Sequence, residues 1–347
     1  MSKTKLDPQL KASAFQKALT QWYDEVAKDY PWRQTTDPWA ILVSEIMLQQ
    51  TQVATVLNKN FFTNFLAKFP TPQVIAVASE QEILSAWEGL GYYRRVRNLQ
   101  KAAIAICENH AGKFPTDHAE ILDLPGIGRY TAGAIASFAY DDAQPIVDAN
   151  VARIFSRIYD FQERVDSSAG IKQLWSWAET LLDKKNPRSY NSALMELGQQ
   201  VCTNKAPKCE QCVIQKFCKT KSPENLPIKK AAKKTVLVDE FALFCVCPDR
   251  GILLQQEASA ERRAGMWKLP LRDHLQTEKL PLLNKSSYAI THHKVTLRVY
   301  QSQTATIPQH DNNENTIESW HPLSELADLP MPSPFRKVLN ILLKAHF

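Results

Sequence analysis

The apolar positions of the chain follow a helical period from about residue 10 to residue 200. Asp37 followed by Pro38 predicts the N-cap and the first residue of one helix. Its buried side would carry Ile41, Leu42, Ile46 and Met47. An earlier helix has one apolar face, the spacing of a helix packed on a core, formed by Phe15, Leu19, Trp22, Tyr23 and Val26. Further helices are predicted near residues 72–86, 93–109, 117–123, 129–139, 150–159, 170–183 and 189–202.

The pattern changes after Cys218. Residues 219–236 contain six lysines and one glutamate, which predicts a linker. Beyond it, residues 236–247 are strand-like, and residues 248–251 read as a turn. Val295, Leu297 and Val299 alternate with polar or amphipathic residues, as in a half-buried strand. The 347 residues are enough for two cores. We therefore predict a mainly α chain, with an all-α domain followed by a smaller α/β domain.

Composition and charge narrow the class of protein only slightly. Hydrophobic residues make up 44% of the chain and charged residues 22%, as in an ordinary soluble protein. The start does not resemble a signal peptide, and no apolar run approaches the ~20 residues of a membrane span. We expect a cytoplasmic protein without a membrane partner. The net charge of +6 permits a polyanionic partner but does not require one.

Four of the seven cysteines form a cluster within residues 202–218. They are Cys202, Cys209, Cys212 and Cys218, with six, two and five residues between them. A disulfide framework belongs to short secreted chains, so we interpret the four as metal ligands. Four thiolates can bind either zinc or a [4Fe–4S] cluster, and the spacing alone leaves both open. Lysines beside the cysteines would give this loop a cationic surface suited to a phosphate backbone.

A glycine-rich turn between two predicted helices is a second candidate site. It contains Gly126 and Gly128 and is followed at once by the helix that begins at Arg129. Such a turn exposes backbone N–H groups at the positive end of a helix dipole. It would hold a DNA phosphate without reading the base sequence.

Two acids in apolar surroundings form the third candidate. Glu45 and Asp148 each interrupt an apolar stretch, although Asp148 could simply cap a helix that begins at Asn150. Cleavage of a glycosidic bond through an oxocarbenium-like transition state needs two carboxyl groups in opposite states. One is protonated and assists the leaving group, and the other is ionised and stabilises the cation.

Together these motifs resemble the helix-hairpin-helix DNA glycosylases, and within them the MutY-type adenine DNA glycosylases. The resemblance covers nearly the whole chain. It is carried by residues 31–33, 44–51, 89–93, the hairpin string 124–133, residues 195–198 and the cysteine loop. It implies a two-lobed helical domain whose loop binds a [4Fe–4S] cluster, and double-stranded DNA carrying adenine opposite 8-oxoguanine as the partner of a monomeric enzyme.

The resemblance also assigns roles to individual residues. Glu45 would protonate adenine at N7, and Asp148 would stabilise the oxocarbenium sugar. Gln50 and Tyr92 match residues that enter the base stack beside the oxidised guanine, and Arg129 accompanies the two hairpin glycines in binding DNA. The positions that match the adenine pocket are Trp32, Arg33, Leu48, Val53, Tyr130 and Glu196. For Leu48 and Val53, plain core packing is nearly as good an explanation.

Tyr130 distinguishes two reaction classes. In bifunctional relatives such as endonuclease III, a lysine at this hairpin position forms a Schiff base with the sugar, and a phenol cannot do so. The resemblance therefore implies a monofunctional enzyme that leaves the strand intact. Two alternatives stay open at the level of the sequence. One is a bifunctional glycosylase/lyase for oxidised pyrimidines, and the other is a non-catalytic DNA-binding protein with structural zinc.

The C-terminal domain resembles the MutT-like (Nudix-fold) domain of the same family. The predicted ranges are 1–222 for the glycosylase domain, 223–235 for the linker and 236–347 for this domain. It lacks the glutamate-rich metal helix of a Nudix hydrolase after residue 265. Thr291 and His292 align with its recognition loop for the oxidised guanine. The chain departs from the family pattern at Ile290 and Thr291, and at Ala149, where glycine is usual.

Overall fold

The computed structural model describes residues 12–257, 263–304 and 317–346. Residues 1–11 of the predicted glycosylase domain, and residues 258–262, 305–316 and 347 of the predicted C-terminal domain, lie outside the described residues. In the described part, no helix is long and apolar enough to cross a membrane.

Twelve α-helices are described before the cysteine loop. They are α1 (Ala12–Val26), α2 (Pro38–Leu48), α3 (Val53–Asn58), α4 (Phe61–Lys68), α5 (Pro72–Ala76), α6 (Glu80–Ala86), α7 (Arg94–Asn109), α8 (His118–Asp123), α9 (Arg129–Tyr140), α10 (Ala149–Ile158), α11 (Ser168–Leu181) and α12 (Pro187–Gln200). The helix predicted at 72–86 is two helices, because Ser79 forms a capping box with Glu82 and begins a new one.

Helix α2 differs from the prediction in its surroundings. Its N-cap is Asp37, as predicted, and the side chain accepts hydrogen bonds from the backbone of Trp39 and Ala40. The helix is not buried on one side only, because every residue from Trp39 to Met47 is buried. A helix enclosed on all sides carries its polar residues into the interior, and here one of them is Glu45.

Eight strands and two α-helices are described from Val236 onward. They are β1 (Val236–Phe244), β2 (Val246–Cys247), β3 (Gly251–Gln256), β4 (Trp267–Lys268), β5 (Leu271–Arg272), α13 (His274–Thr277), β6 (Leu282–Ile290), β7 (His293–Gln301), β8 (Ile317–His321) and α14 (Ser333–His346). One sheet has the order β5-β1-β7-β6, in which β1 and β7 are parallel. In the other sheet, β3 pairs with β2, β4 and β8, all antiparallel.

The predicted strand 236–247 is therefore two strands in two different sheets. Cys245, buried between them, is where the chain leaves the first sheet for the second. A change of sheet depends on long-range pairing partners, and an apolar run of twelve residues does not reveal it. This mixed α/β part is consistent with the predicted Nudix-like fold.

The contacts of the chain define two compact units. The first consists of the described residues up to Gln50, together with Pro70–Gln73 and Lys101–Ala231. The second consists of Thr51–Phe69, Val74–Gln100 and the described residues from Ala232 onward. In the first unit, α1, α10, α11 and α12 supply most of an apolar core. In the second, both sheets and α14 share another. The predicted domain ranges stay a prediction.

Candidate active site and cysteine loop

Glu45 lies in the buried α2, against α9, and its residue is only 7% exposed. The phenol of Tyr130, the second residue of α9, donates a hydrogen bond of 2.8 Å to Glu45 Oε2. Burial raises the pKa of Glu45 to about 7, the Tyr130 hydrogen bond opposes the rise, and the negative charge of Asp148 adds to it. This carboxyl group can therefore carry a proton near neutral pH.

Asp148 is the N-cap of α10, as the simple structural explanation of the sequence predicted. Its carboxylate accepts a hydrogen bond of 2.7 Å from the backbone N–H of Val151 and one of 2.9 Å from Asn150 Nδ2. Burial raises the pKa of Asp148, and these donors and Arg153 oppose the rise. Asp148 has more donors to its charged form than Glu45, so it is the carboxyl group better suited to remain ionised.

Tyr130 is a hydrogen-bond donor in this site. Burial, and then the charges of Glu45 and Asp148, raise its pKa well above 10. The phenol therefore stays protonated at neutral pH. The structure brings Glu45, Asp148 and Tyr130 together within the first compact unit.

An ion pair lies among the predicted adenine-pocket residues of the first unit. Arg33 Nη1 is 2.6 Å from Glu196 Oε2, whose side chain is fully buried. The Arg33 guanidinium also lies over the ring of Tyr30, at 4.8 Å from its centroid, and Trp32 stacks on the same ring at 5.2 Å. Trp32, Arg33 and Glu196 thus form one aromatic and charged cluster around Tyr30. Tyr30 was not identified from the sequence, although it directly precedes the Pro31-Trp32-Arg33 string.

The other two pocket candidates are less distinctive. Leu48 is half-buried at the end of α2, and Val53 is half-buried at the start of α3, in the second unit.

The hairpin glycines lie on an exposed turn. Gly126 has a φ of +79°, which favours glycine, and Gly128 is the N-cap of α9 with open space where a Cβ would project. The Arg129 side chain, however, forms an ion pair of 2.6 Å with Glu179 and lies 3.8 Å from the ring centroid of Trp175. The Arg129 guanidinium is therefore already engaged by Glu179 and Trp175.

The residues predicted to touch DNA near the lesion lie on exposed backbone of unusual conformation. Gln50 (φ 57°), Tyr92 (φ 49°) and Thr291 (φ 55°) all have left-handed backbone. Tyr92 is 50% exposed. Thr291 and His292 form the two-residue turn between β6 and β7, where Ile290 pairs with His293. A β-branched residue such as threonine rarely adopts a positive φ.

The four clustered cysteines lie on the loop after α12, each partly buried. Arg157 Nη1 donates to Cys202 Sγ at 3.3 Å, and Cys218 Sγ donates to the Arg157 carbonyl at the same distance. Burial raises the pKa of Cys212 to about 11, and the other three thiols add to the rise. In the chain outside the undescribed segments, no three His, Cys, Asp or Glu side chains are placed to hold a single metal ion. Four thiols that raise the pKa of Cys212 and lie beside one guanidinium are a donor set that suits either a [4Fe–4S] cluster or zinc.

A hydrogen-bond network joins the cysteine loop to Asp148. Arg153 Nε donates to the carbonyl of Cys202 at 2.7 Å, and Arg153 Nη2 donates to Asn150 Oδ1 at 2.8 Å. Asn150 in turn donates to Asp148. The sequence analysis did not single out Asn150 or Arg153. Their spacing of three residues on a helix that begins beside Asp148 was the available signal.

The chain is similar to known DNA repair proteins. Residues 43–180 match the model of the HhH-GPD superfamily base excision DNA repair proteins. The chain is 43% identical over 219 residues to the adenine DNA glycosylase of Homo sapiens, covering 60% of this chain and 40% of the human protein. It is 32% identical over 349 residues to the adenine DNA glycosylase of Buchnera aphidicola subsp. Schizaphis graminum, covering 94% of this chain and 98% of that protein.

The helical part also matches solved structures. A thermostable thymine-DNA glycosylase is 31% identical with a TM-score of 0.55, and the match covers 60% of this chain and 95% of that structure. The chain spans less than half the length of the human relative that it matches.

Proposed function

The chain belongs to the adenine DNA glycosylase family of the HhH-GPD superfamily, and we propose that it hydrolyses the N-glycosidic bond of adenine mispaired with 8-oxoguanine or guanine in double-stranded DNA. The observation that carries the proposal is the buried Glu45, hydrogen-bonded to Tyr130 and electrostatically coupled to Asp148. Glycosidic cleavage requires this division between a carboxyl group that holds a proton and one that stays ionised.

The chemistry begins with the adenine flipped out of the duplex, at a cost of a few kcal/mol of unstacking. Protonated Glu45 donates its proton to adenine N7. The C1′–N9 bond then breaks, its electron pair goes to N9, and adenine leaves as a neutral molecule. Asp148 stabilises the positive charge that develops at C1′. Water adds to C1′, and its proton passes to the ionised Glu45, which restores the acid.

Tyr130 supports a monofunctional reaction. A phenol with a raised pKa donates a hydrogen bond and does not form a Schiff base with the abasic sugar. We expect strand breaks in the product only after treatment with alkali. Borohydride trapping of a covalent complex between the wild-type protein and DNA would contradict this part of the proposal.

Cys202, Cys209, Cys212 and Cys218 would hold a [4Fe–4S] cluster. The cluster would fix the fold of the loop and take no part in proton transfer. We expect the purified protein to contain iron and to absorb visible light, and Cys209→Ala to lose both. A colourless wild-type protein that contains zinc would identify a structural zinc site instead.

We assign recognition of 8-oxoguanine to the turn formed by Thr291 and His292. The test is single-turnover release of adenine from duplexes with adenine opposite 8-oxoguanine, guanine or thymine. His292→Ala should narrow the preference for 8-oxoguanine over guanine. An unchanged preference would mean that His292 has no role in recognition and only occupies the end of a strand. Wild-type protein that releases no adenine from any duplex would overturn the proposed function.

A further inference from the structure

The loop that carries Tyr92, residues 88–93, has a backbone held in place by its own unit. Gly89 (φ 97°), Gly91 (φ 67°) and Tyr92 all have left-handed backbone. The indole of Trp87 donates to the carbonyl of Gly91 at 3.1 Å. Arg95 Nη2 donates to the carbonyls of Leu90 and Gly91 at 2.9 and 3.0 Å. The direction of the half-exposed Tyr92 is therefore set by this backbone.

The first residue of the loop is bound to the C-terminal helix α14. Glu88 Oε1 accepts from Arg336 Nε at 2.8 Å, and Glu88 Oε2 accepts from Arg336 Nη2 at 3.0 Å. Glu88 Oε2 also accepts from the backbone N–H of Met331 at 3.3 Å. The two side chains are only 22% and 17% exposed. A bidentate arginine–carboxylate pair fixes orientation as well as distance.

Arg336 is itself held in a single geometry. Its Nη1 donates to the carbonyl of Leu326 at 2.6 Å, and its Nη2 also donates to the carbonyl of Leu329. The guanidinium is thus bound on one side to the segment before α14 and on the other to Glu88. A planar group with a fixed fork of donors transmits such a constraint better than a lysine would.

A second connection lies after the loop. Arg97, in α7, donates both to the carboxylate of Glu80 and to the backbone carbonyl of Ala264. Residues 88–93 are therefore flanked on both sides by contacts with the C-terminal part. All of these residues belong to the second compact unit.

The same unit contains the turn of Thr291 and His292. Helix α14 packs against β6, and β6 ends at the residue before this turn. A continuous series of packed elements joins the turn, β6, α14, Arg336, Glu88 and the Tyr92 loop. We propose that Glu88 and Arg336 are positioning residues that make the Tyr92 loop and the Thr291–His292 turn move as one body when the enzyme meets the base opposite adenine. This inference rests on the proposed function.

The test compares Glu88→Gln, Arg336→Gln and the double variant. The rates to measure are single-turnover adenine release opposite 8-oxoguanine and opposite guanine. We expect each single substitution to reduce the ratio of these rates roughly five- to tenfold. The double variant should be little worse than the more affected single variant, because both substitutions remove the Glu88–Arg336 pair.

The matched control is Glu318→Gln. Glu318 forms a bidentate pair with Arg272 at 2.7 and 3.0 Å and is 22% exposed, the same fraction as Glu88. The pair lies in the same unit and has no described contact with residues 88–93. This variant should keep the wild-type ratio. Equal losses of both rates in the Glu88 and Arg336 variants, with an unchanged ratio, would show a merely structural role and overturn the proposal.

A second measurement is independent of activity. Amide hydrogen exchange in residues 88–93 should become faster in Glu88→Gln and Arg336→Gln and stay unchanged in Glu318→Gln. Unchanged exchange in all three variants would overturn the inference even if the enzyme is active. Failure of the wild type to release adenine would instead overturn the proposed function, so the two failures are distinguishable.

Discussion

The two carboxyl groups of the candidate active site and the exposed loop residues of this protein differ in the elements that hold them. Glu45 lies in α2, where every residue from Trp39 to Met47 is buried, and the half-buried Asp148 is the N-cap of α10. Gln50, Tyr92 and Thr291 lie on exposed or partly exposed turns with left-handed backbone. Proton transfer to a base requires a desolvated acid of adjusted pKa, which a helical core provides. Contact with a DNA stack requires side chains that project from the surface.

The largest effect should come from Asp148→Asn. Asparagine is as good an N-cap as aspartate, so α10 should keep its start and the melting temperature should change little. Adenine release should fall by about 10³-fold or more, because the charge that stabilises the sugar cation is lost. Single-turnover kinetics would measure adenine release, and fluorescence anisotropy would measure DNA binding separately. Normal turnover by this variant would mean that Asp148 only caps a helix.

Glu45→Gln should reduce adenine release by about 10²-fold or more, because general acid catalysis is lost. In the proposed reaction the active form of Glu45 is protonated, so the rate should fall as pH rises through about 7. This decline should be absent from the residual activity of the variant. A wild-type rate that rises through pH 7 would contradict the assignment of Glu45 as the acid.

Glu45→Gln should also change the free energy of unfolding in a pH-dependent way. The pKa of Glu45 rises on folding from 4.5 to about 7, so the free energy of unfolding contributed by this group falls as pH rises between these values. Glutamine does not ionise. Glu45→Gln should therefore gain stability relative to the wild type, by up to about 3 kcal/mol at pH 8 and little at pH 4. Urea unfolding at both pH values measures this difference.

Tyr92→Ala tests the exposed region. Loss of one aromatic stacking contact costs about 1–3 kcal/mol, so we expect adenine release to slow by about tenfold at subsaturating protein. The dependence of the rate on pH should keep its wild-type midpoint, because the pKa of Glu45 is set by burial, Tyr130, Asp148 and Arg33. A shifted midpoint would show that the two regions are not separate in function.

The smallest effect should come from Tyr130→Phe. The phenol donates to Glu45 and lowers its pKa, so its removal should move the alkaline decline of activity upward, by less than about one pH unit. Tyr92→Phe is a suitable control, since it removes a phenol from the exposed loop. A downward shift in Tyr130→Phe would mean that the phenol does not stabilise the ionised form of Glu45.

The sequence predicts those features of the site that depend on residues close together along the chain, and it misses those that depend on distant ones. The Asp37 N-cap and the helix after Asp148 follow from neighbouring residues, and both are present in the structure. The one-sided burial predicted for α2 failed because its surroundings come from distant helices. The pair of Glu88 with Arg336, 248 residues apart, has no signal in sequence spacing.

The sequence by itself determined the cysteine loop, the hairpin, the order of helical and mixed parts, and the family, since these depend on local spacing and short strings. Only the tertiary structure decided the states of the two carboxyl groups. Glu45 has a raised pKa because α2 is enclosed and because Tyr130, 85 residues away, and Asp148 lie beside it. Desolvation and long-range hydrogen bonds are properties of the folded chain, and no local pattern contains them.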